Sequence, residues 1–479
     1  MGHRRQLVSL AYPVYFELLA SVAAGIINML WVARLGGASV AAVAVATNVE
    51  NLLLGVILMA GSGTTVLVAR ARGAGDPGAV RTAVRGGWAL CALITPVVAV
   101  GGYAFREPLA RLVLGGGDGP ATALAAGYFA ISLPGAAVFF ATNLLDGILK
   151  GAGDTRTPMR LAFLANGIVL VLDPLLINGL FGLPELGVQG AALATVVGRS
   201  AALACGFVAL RRNGLLRRAR AALPGASRLA ALRRTAATGL PMSADFVVRM
   251  AGALALVAVV ARLGVTAVAA YGIATKAMYV ATMAFYAVHQ AASIHTAHLL
   301  GAGRDERRPA GRTALALSAA VGTLAAALLL LLAPWIMRAF GAGPEVARQG
   351  VLFLRCLGPY LILLACFIAL GGVFEGSGDS PRLARITAAG VSVQLPLAYA
   401  LSGLGLPGVC LAMGLAMALQ CGALGLLFLR MRTEPNGQEG SVEGASGREA
   451  SDEGARGRRR AGRCRGSTER AAACGAAAR

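Results

Sequence analysis

The residues with the clearest chemical potential are ionisable side chains that lie inside long apolar stretches. Asp173 occupies such a position, within the apolar run 161–180. An ionisable group at the centre of a membrane-spanning helix costs about 2.5–3.5 kcal/mol, so its presence requires a reason. Pro174 leaves a backbone carbonyl one turn earlier without its helical hydrogen bond, which adds local polarity. Asp173 is therefore the leading candidate for binding a proton or a cation.

Asn166 lies seven residues before Asp173, and this spacing places both side chains on one face of a helix. The two groups can then share a hydrogen-bond network around a bound ion. The alternative is that Asp173 is a permanently neutral or hydrogen-bonded packing residue. The spacing leaves both interpretations open.

Two further acidic residues occupy matching places near the start of two apolar stretches. Glu17 follows Pro13 by four residues, and Asp245 follows Pro241 by the same distance. Asp245 also has Arg249 four residues later, which is the spacing of an ion pair on one helical face and indicates a structural role. Glu17 has no such local partner. It is either a ligand for substrate or ion, or a solvated residue near the membrane surface.

His289 lies in another apolar run and is the side chain type that titrates near physiological pH. Its alternative role is that of a hydrogen-bonded packing residue. His295 and His298 follow at spacings of six and three, so the three histidines do not share one helical face. We therefore expect no metal site here.

Other charged residues within or beside the apolar runs have simpler explanations. Asp146 and Lys150 have i, i+4 spacing and predict a structural ion pair at a helix end. Arg199 and Arg355 lie within apolar runs, where each either lines a cavity or pairs with a carbonyl at a helix end. Together with Asp245, Arg249 and His289, Arg355 is a candidate for contact with substrate.

The composition identifies the class of protein that must position these side chains. The 479 residues are 57% hydrophobic and 14% charged, with 64 glycines, whereas soluble domains have about 25% charged residues. Apolar runs long enough to cross a bilayer recur along the chain. Twelve are predicted, at 10–33, 39–69, 83–104, 121–146, 161–180, 187–210, 240–261, 268–299, 313–335, 347–372, 386–402 and 408–429.

The net charge of +22 is explained by membrane topology and does not indicate nucleic-acid binding. Alternate connections between the predicted spans carry 25 arginines and lysines, and the remaining connections carry six. Positively charged connections stay on the cytoplasmic side, so both termini are predicted to be cytoplasmic.

An internal repeat organises the chain. A shift of 228 residues pairs Pro13 with Pro241 and the segment 73–75 with 301–303, and a shift of 225 pairs 149–154 with 374–379. Each copy has six spans, an even number, so the copies share one orientation and are related by an axis along the membrane normal. A cavity between them is the expected binding site.

This repeat divides the chain into predicted regions. The first six-helix lobe covers 1–210, and a basic cytoplasmic linker covers 211–238. The second lobe covers 239–432. Residues 433–479 lack periodic apolar residues and predict a disordered cytoplasmic tail.

The sequence resembles the multidrug and toxic compound extrusion (MATE) transporters, and most closely their DinF-like branch. The Gly-Asp-Thr-Arg-Thr-Pro loop at 153–158 is the most specific part of the resemblance, and 376–381 echoes it. The other segments that carry the resemblance are 30–37, 61–63, 73–76, 172–175 and 187–195. It implies an all-α integral membrane protein with twelve transmembrane helices in two pseudo-symmetric six-helix lobes.

The resemblance also implies a function and a set of coupling residues. It implies a secondary antiporter that exports drugs or metabolites in exchange for H⁺ or Na⁺. We further expect a monomer in a bacterial cytoplasmic membrane, with no other cofactor, and no enzyme, since the histidine spacing provides no catalytic cluster. The coupling acids of the branch lie in spans one and five. The fifth-span position matches Asp173, but the first-span position is Asn28, which cannot carry a proton. The alternative function is a flippase for a lipid-linked precursor, which a cationic cavity with unpaired Arg199, Arg249 and Arg355 would favour.

Overall fold

The computed structural model describes residues 2–114, 119–179, 182, 184–221, 226–341 and 343–431. Within these ranges the chain is almost entirely α-helical, as the composition predicts. The helices are α1 His3–Ala33, α2 Gly37–Gly73, α3 Pro77–Ala104, α4 Arg106–Val113, α5 Pro120–Gly151, α6 Arg156–Asn178, α7 Val188–Arg212, α8 Gly214–Ala221, α9 Arg228–Ala261, α10 Val265–Gly301, α11 Arg307–Ala339, α12 Pro344–Cys356, α13 Gly358–Ser377, α14 Ser380–Ala400 and α15 Leu406–Arg430, with a short 3₁₀ helix at Leu401–Leu404.

Twelve of these helices are long and apolar enough to cross a membrane. They are α1 to α3, α5 to α7, α9 to α11 and α13 to α15. The prediction of an all-α membrane protein with twelve spans is confirmed.

The tenth predicted span, 347–372, is wrong in its bounds. α12 ends at Cys356 and α13 begins at Gly358, so one predicted helix is two. Pro359 lies in the first turn of α13, where the missing N–H costs nothing, but its ring cannot follow a continuous preceding helix. The spanning helix is α13 alone, and it ends at Ser377.

The repeat is visible in the backbone. α1 to α7 and α9 to α15 follow one another in the same order, and the bounds of α2 and α10 differ by the predicted 228 residues at both ends. Gly36 and Gly264, at the turns before these two helices, both have φ of +102°. This conformation favours glycine and permits the same tight turn in each half.

Between the two halves lies α8, and α9 begins at Arg228, inside the predicted linker 211–238. The division into lobe, linker and lobe otherwise remains a prediction. The predicted tail, 433–479, lies outside the described residues.

Matching glycines bring two helices of each half into close contact. A side chain on Gly147 of α5 would collide with the carbonyl of Gly61 on α2, and one on Gly372 of α13 would collide with the carbonyl of His289 on α10. Both contacts occur at repeat-related positions. The fold of each half thus depends on the same absence of side chains.

The two halves meet through a reciprocal contact. Gly73 of α2 packs against the carbonyl of His298, and Gly301 of α10 packs against the carbonyl of Arg70. Each glycine is the repeat partner of the other, so a pseudo-twofold axis passes between these helix ends. An apolar cluster extends the contact with Val66, Ala69, Met242, Ile294 and Ala297. The halves therefore join at the arginine-rich ends of their helices.

Candidate functional site

Asp173 and Asn28 meet between α6 and α1. Asn28 Nδ2 donates to Asp173 Oδ2 over 2.8 Å, although the two residues are 145 positions apart. Asp173 is 1% exposed, and its other carboxylate oxygen has no hydrogen-bond partner. Within the described residues it forms no ion pair. The amide holds the carboxylate in place and leaves one oxygen free to bind a proton or a cation.

Asn166, which was predicted to share this network, forms no hydrogen bond to Asp173 in the described part of the chain. Its Nδ2 is buried without a partner. Both residues lie on α6, which ends at Asn178, five residues after Asp173. A role for Asn166 in ion binding stays a prediction.

A second polar group lies in the same half, among α2, α5 and α7. Tyr128 donates its hydroxyl to Glu50 over 3.3 Å, and the Arg199 guanidinium lies 4.3 Å from the centre of the Phe139 ring. These side chains line a cavity of about 30 Å³, in which Ser132 Oγ has no partner. The cavity is large enough for a water molecule but not for an organic substrate.

Glu17 has a partner that its local sequence does not show. Lys150 Nζ, 133 residues away on α5, lies 2.7 Å from Glu17 Oε1, and both residues are less than 10% exposed. Asp146 interacts electrostatically with both of them, and its Oδ1 is buried without a hydrogen-bond partner. Lys150 was predicted to pair locally with Asp146. Instead it lies between two carboxylates, one of them on α1.

The predicted pair of Asp245 and Arg249 is present in α9. The guanidinium of Arg249 lies 2.6 Å from Asp245 Oδ2, and the Thr387 hydroxyl of α14 donates to the other carboxylate oxygen. Asp245 is 1% exposed. The hydrogen bond from Thr387 joins α9 to α14, which favours the structural interpretation of Asp245.

His289 is buried between α10 and α13 and uses both ring nitrogens. Nδ1 lies 2.8 Å from the carbonyl oxygen of Ile368, and Nε2 lies 3.0 Å from Glu375 Oε2. Both His289 and Glu375 are 8% exposed. Glu375 is a buried acidic residue beside His289 that the sequence analysis did not single out. The 225-residue shift pairs Glu375 with Lys150, and both are charged residues near the ends of corresponding helices. This correspondence is the sequence signal that could have identified Glu375.

The arginines that bear on a cationic cavity are largely engaged. Arg249 is paired, and Arg199 packs on an aromatic ring close enough to Glu50 for their charges to interact. Arg355 is exposed in the last turn of α12. These three side chains do not form a cluster of free positive charge between the halves.

Polar contacts also cross the join between the halves. Arg70 Nη2 of α2 donates to the carbonyl of Ser377 at the end of α13 over 3.0 Å. His3 of α1 lies 3.0 Å from His295 of α10 and 3.3 Å from Glu306. Any motion that separates the arginine-rich ends must break these contacts.

Both halves of the chain are similar in sequence to known proteins. A family model described as MatE matches residues 13–175 and 241–400, once in each half. The Thermotoga maritima protein named probable multidrug resistance protein NorM is 26% identical over 406 residues, which are 83% of this chain and 85% of that protein. The FAD transporter of Shewanella oneidensis is 26% identical over 371 residues, 76% of this chain and 78% of that protein.

Solved structures share the fold. A structure described as the outward-facing conformation of a multidrug resistance MATE family transporter aligns with a TM-score of 0.81 at 22% identity, over 90% of this chain and 96% of that one. A MOP superfamily transporter from Pyrococcus furiosus, described as having a binding pocket of reverse polarity, aligns with the same score, identity and coverage.

Proposed function

Because this chain belongs to the MatE family of transporters, we propose that it is a secondary antiporter that exports amphipathic or cationic organic molecules in exchange for H⁺ or Na⁺. One observation carries the proposal. Asp173 is a buried carboxylate without a charged partner in the described residues, whereas Glu17, Asp245 and Glu375 each contact a basic side chain. A carboxylate in this state binds whichever cation reaches it.

Asn28 supports this role without carrying a charge. Its amide donates to one oxygen of Asp173, so the other oxygen remains available for a proton or for a coordinating contact to sodium. The site then has one acid instead of two. We propose that it binds one monovalent cation at a time.

The close contact of the halves at one end indicates how access alternates. Gly73, Gly301 and the bond from Arg70 to Ser377 close the arginine-rich ends. We propose that these ends and both termini face the cytoplasm of a bacterial cell, as the charge distribution indicates. We propose that this closed contact corresponds to the outward-open state, and that rocking of the halves about this join opens the other side.

Cation binding drives transport only if it favours one state over the other. Protonation or sodium binding at Asp173 removes the cost of a bare carboxylate between α1 and α6. We propose that this change shifts the packing of α6 against α1 and thereby releases substrate. The substrate binds between the halves, where apolar walls accept varied shapes. The names of several relatives refer to multidrug resistance, which agrees with this substrate class.

Proteoliposomes that contain wild type or Asp173→Asn test the proposal. A proton gradient and, separately, a sodium gradient are imposed while a fluorescent cationic dye is followed. Gradient-driven movement of dye in wild type, lost in Asp173→Asn, is the expected result. Asp305→Asn is the matched control, because Asp305 lies outside the spans and pairs with Arg307 at 2.7 Å. Normal export by the Asp173→Asn protein would exclude Asp173 from the mechanism.

The same assay addresses the flippase and other substrates. The paired state of Arg249 and the exposed position of Arg355 do not favour a site for a lipid-linked anion. One arm of the assay replaces the dye with FAD, because a relative is named an FAD transporter. We also propose that the protein works as a monomer, which light scattering in detergent tests.

A further inference from the structure

His289 and Glu375 share one proton in the hydrogen bond between their side chains. The Ile368 carbonyl can only accept, so Nδ1 of His289 carries a hydrogen and donates it over 2.8 Å. Nε2 and Glu375 Oε2 are 3.0 Å apart, and one hydrogen must lie between them. That hydrogen belongs either to an imidazolium facing a carboxylate or to a carboxylic acid facing a neutral imidazole. In both forms the pair has no net charge.

The charged groups around this pair are few and can be named. On α9, Asp245 and Arg249 form their own ion pair, and Arg249 also interacts with Glu375. On α10, the Tyr286 ring lies edge-on to His289, with 6.2 Å between ring centres. Loss of the shared proton therefore changes this interior from neutral to a charge of −1.

The other helices that pack here supply apolar side chains to a shared core cluster. These include Leu7, Ala11 and Val14 of α1, Ala314 of α11, Leu383 of α14, and Met417 and Leu424 of α15. These apolar side chains supply no positive charge, and Arg249, which interacts with Glu375, is already paired with Asp245. The proton is held in a medium where an uncompensated carboxylate is costly.

Proton loss is incompatible with the present packing. The bare Nε2 lone pair would face a carboxylate at 3.0 Å, which repels it. The helix backbones are also close, because a side chain on Gly372 would collide with the carbonyl of His289. Release of the proton therefore requires His289 and Glu375 to move apart, which a displacement of α13 relative to α10 accomplishes.

The pair is connected to the join between the halves. Two residues after Glu375, the carbonyl of Ser377 accepts the hydrogen bond from Arg70 of the other half. On α10, Ile294 and Ala297 belong to the apolar cluster at the same join. Separation of the arginine-rich ends removes the Arg70 contact from α13 and changes the surroundings of α10.

We propose that His289 and Glu375 form a second proton-binding site, in the C-terminal half, that holds a proton while the arginine-rich ends are closed and releases it when they separate. The proposal deepens the antiport function and rests on it for its role in transport. It adds one proton to each cycle, separate from the cation bound at Asp173.

The number of protons exchanged per dye molecule can be measured in proteoliposomes from the limiting dye gradient, which is the ratio of dye concentrations across the membrane when net transport stops. With the membrane potential clamped to zero, each coupled proton multiplies the limiting dye gradient about tenfold per pH unit. Glu375→Gln keeps a hydrogen bond, because the amide donates to Nε2, but it cannot release this proton. It is expected to lower the limiting gradient about tenfold at one pH unit.

Three further variants separate proton binding from packing. The double variant His289→Gln, Glu375→Gln removes both groups that can carry the proton, is expected to give the same tenfold decrease, and serves if Glu375→Gln alone does not fold. Glu375→Asp retains a carboxylate and is expected to keep the wild-type limiting gradient even if transport is slower. Glu345→Gln is the matched control, since Glu345 is exposed on α12 and bonds only to its helical neighbours Arg348 and Gln349 in the described structure.

Each outcome decides between the two proposals. A folded Glu375→Gln protein with the wild-type limiting gradient overturns the second site and leaves the antiport proposal intact. Wild type that responds to sodium and not to pH also overturns the second site. Wild type that moves no dye under either gradient contradicts the proposed antiport itself.

Discussion

Replacement of Lys150 by methionine is the most informative change to the buried charges of the N-terminal half. Lys150 Nζ lies 2.7 Å from Glu17 Oε1 and also interacts with Asp146. Lys150→Met keeps much of the side-chain volume and removes the only cation of the group. It leaves two buried carboxylates facing each other, with one oxygen of each already lacking a hydrogen-bond partner.

The magnitude follows from this asymmetry. Removal of one partner from a buried ion pair costs about 3–5 kcal/mol, because the remaining charge is uncompensated. Glu17→Gln costs less, about 1–2 kcal/mol, since Lys150 keeps Asp146 as a neighbour and the amide can still accept a hydrogen bond. The double variant is expected to be at least about 1 kcal/mol more stable than Lys150→Met. Adding the cost of Glu17→Gln alone to this difference gives a coupling between the two residues of about 2–3 kcal/mol.

Unfolding in mixed micelles, followed by tryptophan fluorescence, measures these differences. Lys276→Met is the matched control, because Lys276 is the other lysine of the chain and is exposed on α10. If Lys150→Met is no less stable than Glu17→Gln, the group of three charges does not stabilise the fold as we describe. If Glu17→Gln is stable but abolishes gradient-driven export, Glu17 is a coupling residue after all.

Two further predictions concern the join and a surface ion pair. Gly301→Ala places a methyl group against the carbonyl of Arg70 and is expected to lower the free energy of unfolding in micelles by about 1–3 kcal/mol. Gly272→Ala is the control, because Gly272 is a helical glycine with open space around it. Equal stability of the two variants would contradict the close contact. The hydrogen bond from Arg307 lowers the pKa of Asp305, so the pair adds stability above the unfolded-state pKa of this carboxyl and loses it as pH falls through the lower folded-state value. Asp305→Asn is therefore expected to cost up to about 1 kcal/mol at pH 7 and nothing once wild-type Asp305 is protonated, and a penalty that persists in acid would contradict this account.

The sequence predicts features that depend on spacing within one helix. Asp245 and Arg249 are four residues apart and form the expected pair. The repeat shift of 228 residues places both ends of α2 and α10 correctly. Such features are local, or they repeat a local pattern, so sequence alone is enough to reveal them.

Contacts between distant helices are not encoded by spacing. Glu17 and Lys150 are 133 residues apart, and His289 and Glu375 are 86 apart. Close packing of α10 and α13, permitted by Gly372, brings His289 and Glu375 together. Glu17 and Lys150 meet because the long lysine side chain of α5 reaches the carboxylate on α1. The resemblance to a known family drew attention to Asn28, but its bond to Asp173 required the three-dimensional arrangement of α1 and α6.

The reciprocal contact of Gly73 and Gly301 has a meaning for the history of the chain. Before gene duplication and fusion, two separate copies of one half would have associated as a homodimer through this same surface. Fusion removed the need for identical subunits, and the interiors diverged while the shared surface was kept. Asp173 corresponds to Ala398 by the 225-residue shift, and Asn28 corresponds to Leu256 by the 228-residue shift. The two halves have thus become different, while the surface that joins them stays similar because each glycine packs on a backbone carbonyl of the other half.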